Sequence, residues 1–165
     1  KIGDIEYPKQ GLSSADNNRF LRFWFEIDKT NFKVDCTSNE DSALSGAKWF
    51  PFSKGGEFRK WYGNFDYVIN WKNNGQELRN FKNAAIRNPE FYFTPHVTWS
   101  KVCSNNISFR FRPKGSVFSD AGCAAVFNDD KMWYALGLLN TVYAQEIFNL
   151  INPTINYTQL LAYLI

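Results

Sequence analysis

Alternation limits this chain most strongly. Over residues 107–112, Ile107, Phe109 and Phe111 alternate with Ser108, Arg110 and Arg112. Over residues 65–71, Phe65, Tyr67, Ile69 and Trp71 alternate with Asp66, Val68 and Asn70. A two-residue period places each set on its own face of a β-strand. Turn formers close both runs, Pro113-Lys114-Gly115 and Lys72-Asn73-Asn74-Gly75. Short strands with aromatic faces need a second layer to cover them.

The rest of the chain supplies that layer. Met132, Trp133, Leu136, Leu139, Tyr143, Ile147, Phe148 and Ile151 trace a helical stripe. This predicts a long helix of about five turns, capped by Asn128 or Asp129 and ended by Pro153. Gly137 inside it predicts a close helix–sheet contact. Asp16 is the expected N-cap of a helix over 18–28, and a short helix is expected over 76–83. Residues 48–52, 91–93, 97–102, 116–119 and 123–127 read as further short strands, and 28–47 as a polar loop. The fold class is α+β: a mixed or antiparallel sheet of short strands with a long helix packed on it.

Aromatic residues make up 18% of the chain, enough to build a core, while the net charge is only +3. A single His and three Cys leave almost no way to build a zinc site. His96 is the one candidate catalytic imidazole, and no nucleophile–acid motif accompanies it; it reads as a loop or strand-edge residue. Cys36, Cys103 and Cys123 are odd in number and widely spaced, and read as reduced, buried thiols of a cytoplasmic protein. Neither a secretory leader nor a membrane span is expected. Both ends read as cut from a longer protein. The carboxylates are scattered, and Asp129-Asp130-Lys131 fits a helix start better than a metal site. There is no phosphate-binding glycine loop, and Asn152-Pro153-Thr154-Ile155 reads as a helix stop.

The densest functional signal lies in residues 48–62, where Lys54, Arg59 and Lys60 interleave with Trp49, Phe50, Trp61 and Tyr62 around Gly55-Gly56. Cations hold phosphates, and Arg and Asn read base edges. Arg110, Arg112 and Lys114 form a possible second row, with Lys101 nearby; Asn64 and its neighbouring asparagines add base-reading amides. The alternative for each is a solvated turn or sheet face.

These residues also carry a resemblance. Residues 3–22, opening Gly3-Asp4-Ile5-Glu6-Tyr7-Pro8, and the run Trp49-Phe50-Pro51-Phe52-Ser53-Lys54-Gly55-Gly56 through Gly63 resemble a segment of BREX phage-defence adenine-specific DNA methyltransferases, the PglX family. So do Tyr67-Val68-Ile69-Asn70-Trp71, Thr98-Trp99-Ser100, Pro113-Lys114-Gly115 with Phe118, and Leu136-Gly137-Leu138-Leu139-Asn140 leading to Asn152-Pro153-Thr154. The chain departs from the pattern at Cys123-Ala124-Ala125 and at His96.

The resemblance implies a C-terminal target-recognition region, similar to those of type IIG restriction-modification enzymes. Residues 1–47 would join a methyltransferase domain, and 48–165 would form the recognition domain. The partners implied are double-stranded DNA, the upstream domain and other defence subunits. S-adenosylmethionine and the adenine-N6 chemistry would belong upstream, so the segment would have no cofactor, metal or catalysis of its own. Lys54, Arg59, Lys60, Trp61, Tyr62, Asn64, Arg110, Arg112 and Lys114 are the expected DNA contacts. A protein–protein docking module and, more remotely, a stand-alone nuclease are the competing expectations.

Overall fold

The computed structural model describes residues 8–104, 106–127, 130–152 and 154–157. It is an α+β fold with two sheets. The first runs in the order β1 (Leu21–Phe23), β3 (Tyr67–Asn70), β2 (Trp49–Ser53), β6 (Val117–Phe118). Its pairs are antiparallel except β2 with β6, which is parallel. The second is antiparallel, in the order β5 (Arg110–Arg112), β4 (His96–Ser100), β7 (Gly122–Val126). Helices α1 (Asn17–Phe20), α2 (Asn39–Leu44) and α3 (Lys72–Arg79) accompany the first sheet, whereas α4 (Lys131–Leu139) and α5 (Val142–Ile151) follow the second.

The aromatic excess fills two cores. Phe20, Phe50, Ile69, Trp71, Tyr92, Phe93 and Phe118 pack under the first sheet. Val97, Trp99, Phe109, Leu136, Leu139 and Phe148 pack between the second sheet and α4–α5. Leu12 and Phe20 precede position 47 yet belong to the same core as Phe50 and Phe118, so both parts of the chain share it. Gly11 allows this: a Cβ there would collide with the Phe118 carbonyl, to which the neighbouring Leu12 N–H donates at 2.9 Å.

Several expectations are corrected. The long final helix is two helices, broken at Asn140-Thr141. Asn140 turns inward, accepts from the Phe109 N–H at 3.0 Å and donates to the Phe109 carbonyl at 2.9 Å. Thr141 then caps α5 by accepting from Ala144 N–H at 3.1 Å. A Cβ at Gly137 would meet nothing within 4 Å outside its own helix, so no close helix–sheet contact explains the glycine. The expected caps Asn128 and Asp129 and the stop at Pro153 lie outside the described residues.

The Asp16 cap forms, accepting from Arg19 N–H, but its helix ends at Phe20 because Leu21, Arg22 and Phe23 pair with Ile69, Val68 and Tyr67. Asn73, Asn74 and Gly75 are left-handed, so the helix over 76–83 is instead the tail of α3, ending at Arg79. Residues 89–91 form a 3-10 turn where a strand over 91–93 was expected. The polar loop contains α2, capped by Ser38. Of the 107–112 strand only β5 is regular, since Phe109 spends its backbone groups on Asn140. His96 is neither loop nor edge: it opens β4, the middle strand of its sheet, and is fully buried.

Candidate nucleic-acid interface

The loop from β2 to β3 carries most of the expected contacts. Gly55, Gly56 and Gly63 hold positive φ, as do Trp61 and Asn64, so the loop turns sharply and repeatedly. Its path is fixed to the second sheet. Trp61 N–H donates to Phe109 O at 3.2 Å and Phe111 N–H to Trp61 O at 2.8 Å. Arg59 N–H donates to Ser108 Oγ at 3.2 Å, and Asn64 Nδ2 to Glu57 O at 3.0 Å. Arg59, Trp61 and Tyr62 are left exposed, and Asn64 is buried. Lys60 is committed elsewhere: its Nζ donates to the Asn140 carbonyl at 2.7 Å. Lys54 is half-buried, with Nζ 4.2 Å above the Tyr67 ring.

Arg110 and Arg112 do not form a solvated row. Both are 1% exposed, while Phe111 between them is half-buried against Trp133 at 4.7 Å. The alternation is real, and both faces are covered: Ile107 and Phe109 enter the second core, and the polar face is buried as well. Arg110 donates to Ser108 Oγ at 3.0 Å. The Arg112 guanidinium lies 4.1 Å above Phe65 and donates to Asn64 O at 3.2 Å. Burial lowers both guanidinium groups to about 10, so both stay charged at neutral pH. Neither pairs with a carboxylate among the described residues. Arg112 Nη2 and Arg110 Nε are buried without hydrogen-bond partners. A buried unpaired cation is costly. Lys101 is taken by Asp120 at 3.1 Å.

Tyr62, Arg112 and Lys114 converge on one cavity of about 520 Å³. It lies where the turn after β5 crosses the first sheet. Tyr62 and Phe65, with ring centroids 4.6 Å apart, form one wall with Tyr67. Trp24, Phe32 and Val34 supply another, and Arg112, Lys114 and Ser116 a third. Gly115 lets this turn approach: at φ +97° it sits where a Cβ would collide with the Val34 carbonyl. Ser116 Oγ is buried without a partner. Sequence reasoning missed Ser116, Trp24 and Phe32, because residues distant in the chain meet here without any motif.

Other chemistry is quiet. Burial raises the Cys36 thiol to about 11 and Cys123 to about 12, which leaves both poor nucleophiles. Among the described residues no group of three or more His, Cys, Asp or Glu could hold a metal, and no helix is long and apolar enough to cross a membrane.

No family model matches the chain. Individual proteins do, and they define a class: adenine-specific methyltransferases. The chain is 33% identical to "Adenine-specific methyltransferase PglX" of Lacticaseibacillus casei (strain Zhang), over 95% of its own length and 14% of that protein. It is 41% identical to "Adenine-specific methyltransferase BrxX" of Escherichia coli O9:H4 (strain HS), over 84% of its length and 11% of that protein. The chain belongs to the PglX family and spans about one-seventh or less of the relatives it matches.

Proposed function

We propose that this chain is the duplex-DNA-binding, target-recognition segment of an adenine-N6 methyltransferase in a cytoplasmic phage-defence system of restriction-modification type. The observation that carries the reading is the convergence of Tyr62, Arg112 and Lys114 on an aromatic-walled cavity, beside the loop that exposes Arg59 and Trp61. Exposed Lys and Arg hold phosphates and give affinity, and a neighbouring recess with fixed polar groups gives selectivity. The names of the matched relatives supply the reaction. In this reading the methyl donor of that chemistry, S-adenosylmethionine, and the catalysis belong to another domain of the same protein, since the chain spans at most 14% of the relatives it matches.

The test is fluorescence anisotropy of labelled mixed-sequence duplexes at two salt concentrations. Binding at low salt that weakens at higher salt is expected. A folded chain that binds no duplex at low salt refutes the reading. A docking role toward that other domain or a further defence subunit is favoured by one observation. The outer faces of α4 and α5 expose Trp133, Tyr134, Tyr143 and Leu150. In that case substituting Lys54, Arg59 and Lys114 leaves DNA affinity unchanged.

A further inference from the structure

We infer that the outer faces of α4 and α5 seat an apolar helix from another domain of the same protein, with Gly137 as the notch that receives it. The purpose of the seat, though not the seat itself, rests on the DNA-binding reading above. Trp133, Tyr134, Gly137 and Leu138 recur at i, i+1, i+4 and i+5 and so share one face of α4. Val142, Tyr143, Glu146 and Leu150 share one face of α5 by the same spacing. Tyr134 is 64% exposed, Tyr143 73% and Leu150 82%. Across residues 131–151, all of them described, Glu146 is the one exposed charge. Single exposed apolar side chains are ordinary on a protein surface. Clustered aromatics with charge depleted around them have the composition of an interface centre.

Gly137 marks where that contact centres. Glycine inside a helix costs stability relative to alanine, and nothing within this chain calls for it here. A Cβ would meet nothing within 4 Å outside the helix, and the residue does not hold positive φ. Beside Trp133, Tyr134 and Leu138, the missing side chain leaves a dent in the apolar face, where a second backbone can come close.

Charge and chain length select the occupant. Nucleic acid is disfavoured, because the one exposed charge on these helices is a carboxylate. A second copy would have to be recruited from solution. The relatives carry this segment within one polypeptide of which it makes up 14% or 11%. A domain on the same polypeptide competes for the face at an effective concentration of about millimolar. Modifying a base at a fixed distance from the sequence being read also needs the two domains held rigidly, and a packed apolar contact does this where a linker does not. The seat is tied to the reading loop, since Lys60 Nζ donates to the Asn140 carbonyl at 2.7 Å, between α4 and α5. The helix that fits presents a large apolar side chain over Gly137 and a Lys or Arg toward Glu146.

The experiment is hydroxyl-radical footprinting of the 165-residue chain and of the full-length protein that contains it. Expected is several-fold slower oxidation of Tyr134, Tyr143 and Leu150 in the full-length protein. Gly137→Leu fills the notch and should return those side chains to the rate seen in the free chain; Gly137→Ala should do so in part. In the free chain Gly137→Ala should raise the melting temperature by about 1–4 °C, the opposite sign to its effect on docking. Neither variant should change duplex affinity of the free chain. Tyr143→Glu, at an exposed position, should also abolish protection and stands in if Gly137→Leu unfolds the chain. Protection that survives both Gly137→Leu and Tyr143→Glu overturns the seat. Protection that appears in the free chain as its concentration rises assigns the face to a second copy and overturns the occupant. Equal oxidation in the two proteins, with salt-dependent duplex binding, overturns the seat and leaves the DNA reading intact. Protection in the full-length protein, with no duplex binding at low salt, supports the seat and removes the DNA reading.

Discussion

His96 is held neutral by its burial, which lowers its pKa from 6.5 to about 4 despite a bond between Nδ1 and the Thr94 carbonyl at 2.9 Å. The unfolded chain takes up this proton below its ordinary pKa, and the folded chain refuses it until about pH 4. Stability is therefore intact above pH 6.5 and falls as pH drops toward 4, by roughly 3 kcal/mol at most. Carboxylates titrate over part of this range, so urea melts of the parent and His96→Phe should be compared. The variant should lose less stability between pH 7 and pH 4.5, and parallel losses would refute the assignment. Arg112 makes the converse case. Buried charges without an ionic partner are often neutral or stabilising to replace by an apolar side chain of similar volume. Arg112→Met should therefore keep the melting temperature or raise it, while weakening whatever ligand the cavity takes; a fall of several degrees would mark Arg112 as structural. The alternation that places Arg110 and Arg112 on one face was legible in the sequence. That the polar face is covered as well was not, because a period of two is silent about what packs on each side. Here the Trp61 backbone bridges to Arg110, and Asn64 lies over Arg112.

Helices α4 and α5 show how one side chain can overrule a helical stripe. The apolar positions run through Asn140 without interruption, yet Asn140 is buried and bonded to both backbone groups of Phe109 and to the Leu136 carbonyl. Removing it strands the buried Phe109 N–H, while the Phe109 carbonyl keeps the Trp61 N–H. Asn140→Ala should cost about 2 kcal/mol, read as a drop in the urea midpoint. A loss below about 0.5 kcal/mol would sink this account of the break. Three positions earlier, Gly137 has ordinary helical surroundings and open space around it. Gly137→Ala should stabilise by about 0.5–1 kcal/mol, seen in the same melts. Strands β2, β4 and β7 fall close to the segments read from pattern alone, because each is a compact apolar run set off by turn residues. α2 was missed although Ser38, with Asp41 three residues on, carries a capping signature. β1 was taken for helix because Phe20, Leu21, Trp24 and Phe25 fit a helical face, and its pairing with β3 is a contact that no local pattern encodes.

At the scale of the whole molecule, a net charge of +3 hardly suggests nucleic-acid binding, and the distribution of that charge decides the matter. Several cations are already engaged: Arg19 with Glu77 at 2.8 Å, Lys33 with Asp35 at 2.8 Å, Lys101 with Asp120 at 3.1 Å, and Lys60 with the Asn140 carbonyl at 2.7 Å. Arg110 and Arg112 are buried. Lys54, Arg59 and Lys114 remain as the cations around the cavity and its loop that can reach a backbone, with Glu57 and Asp66 exposed on the same segment and opposing them. Each phosphate neutralised on duplex DNA contributes about 0.9 to the slope of log affinity against log salt. Three such contacts give a slope near −2.7 by that rule. Replacing Lys54, Arg59 or Lys114 singly by Ala should each make the slope shallower by about 0.9, and the triple variant should bind with almost no salt dependence. Lys60→Ala should behave differently: its ammonium already holds the helix break, so it should lower the melting temperature and leave the slope alone. If Lys60→Ala flattens the slope as Arg59→Ala does, the Lys60–Asn140 contact gives way on binding and the interface reaches further toward α4 than the exposed cations define. If none of the four changes the slope, DNA does not lie along this loop.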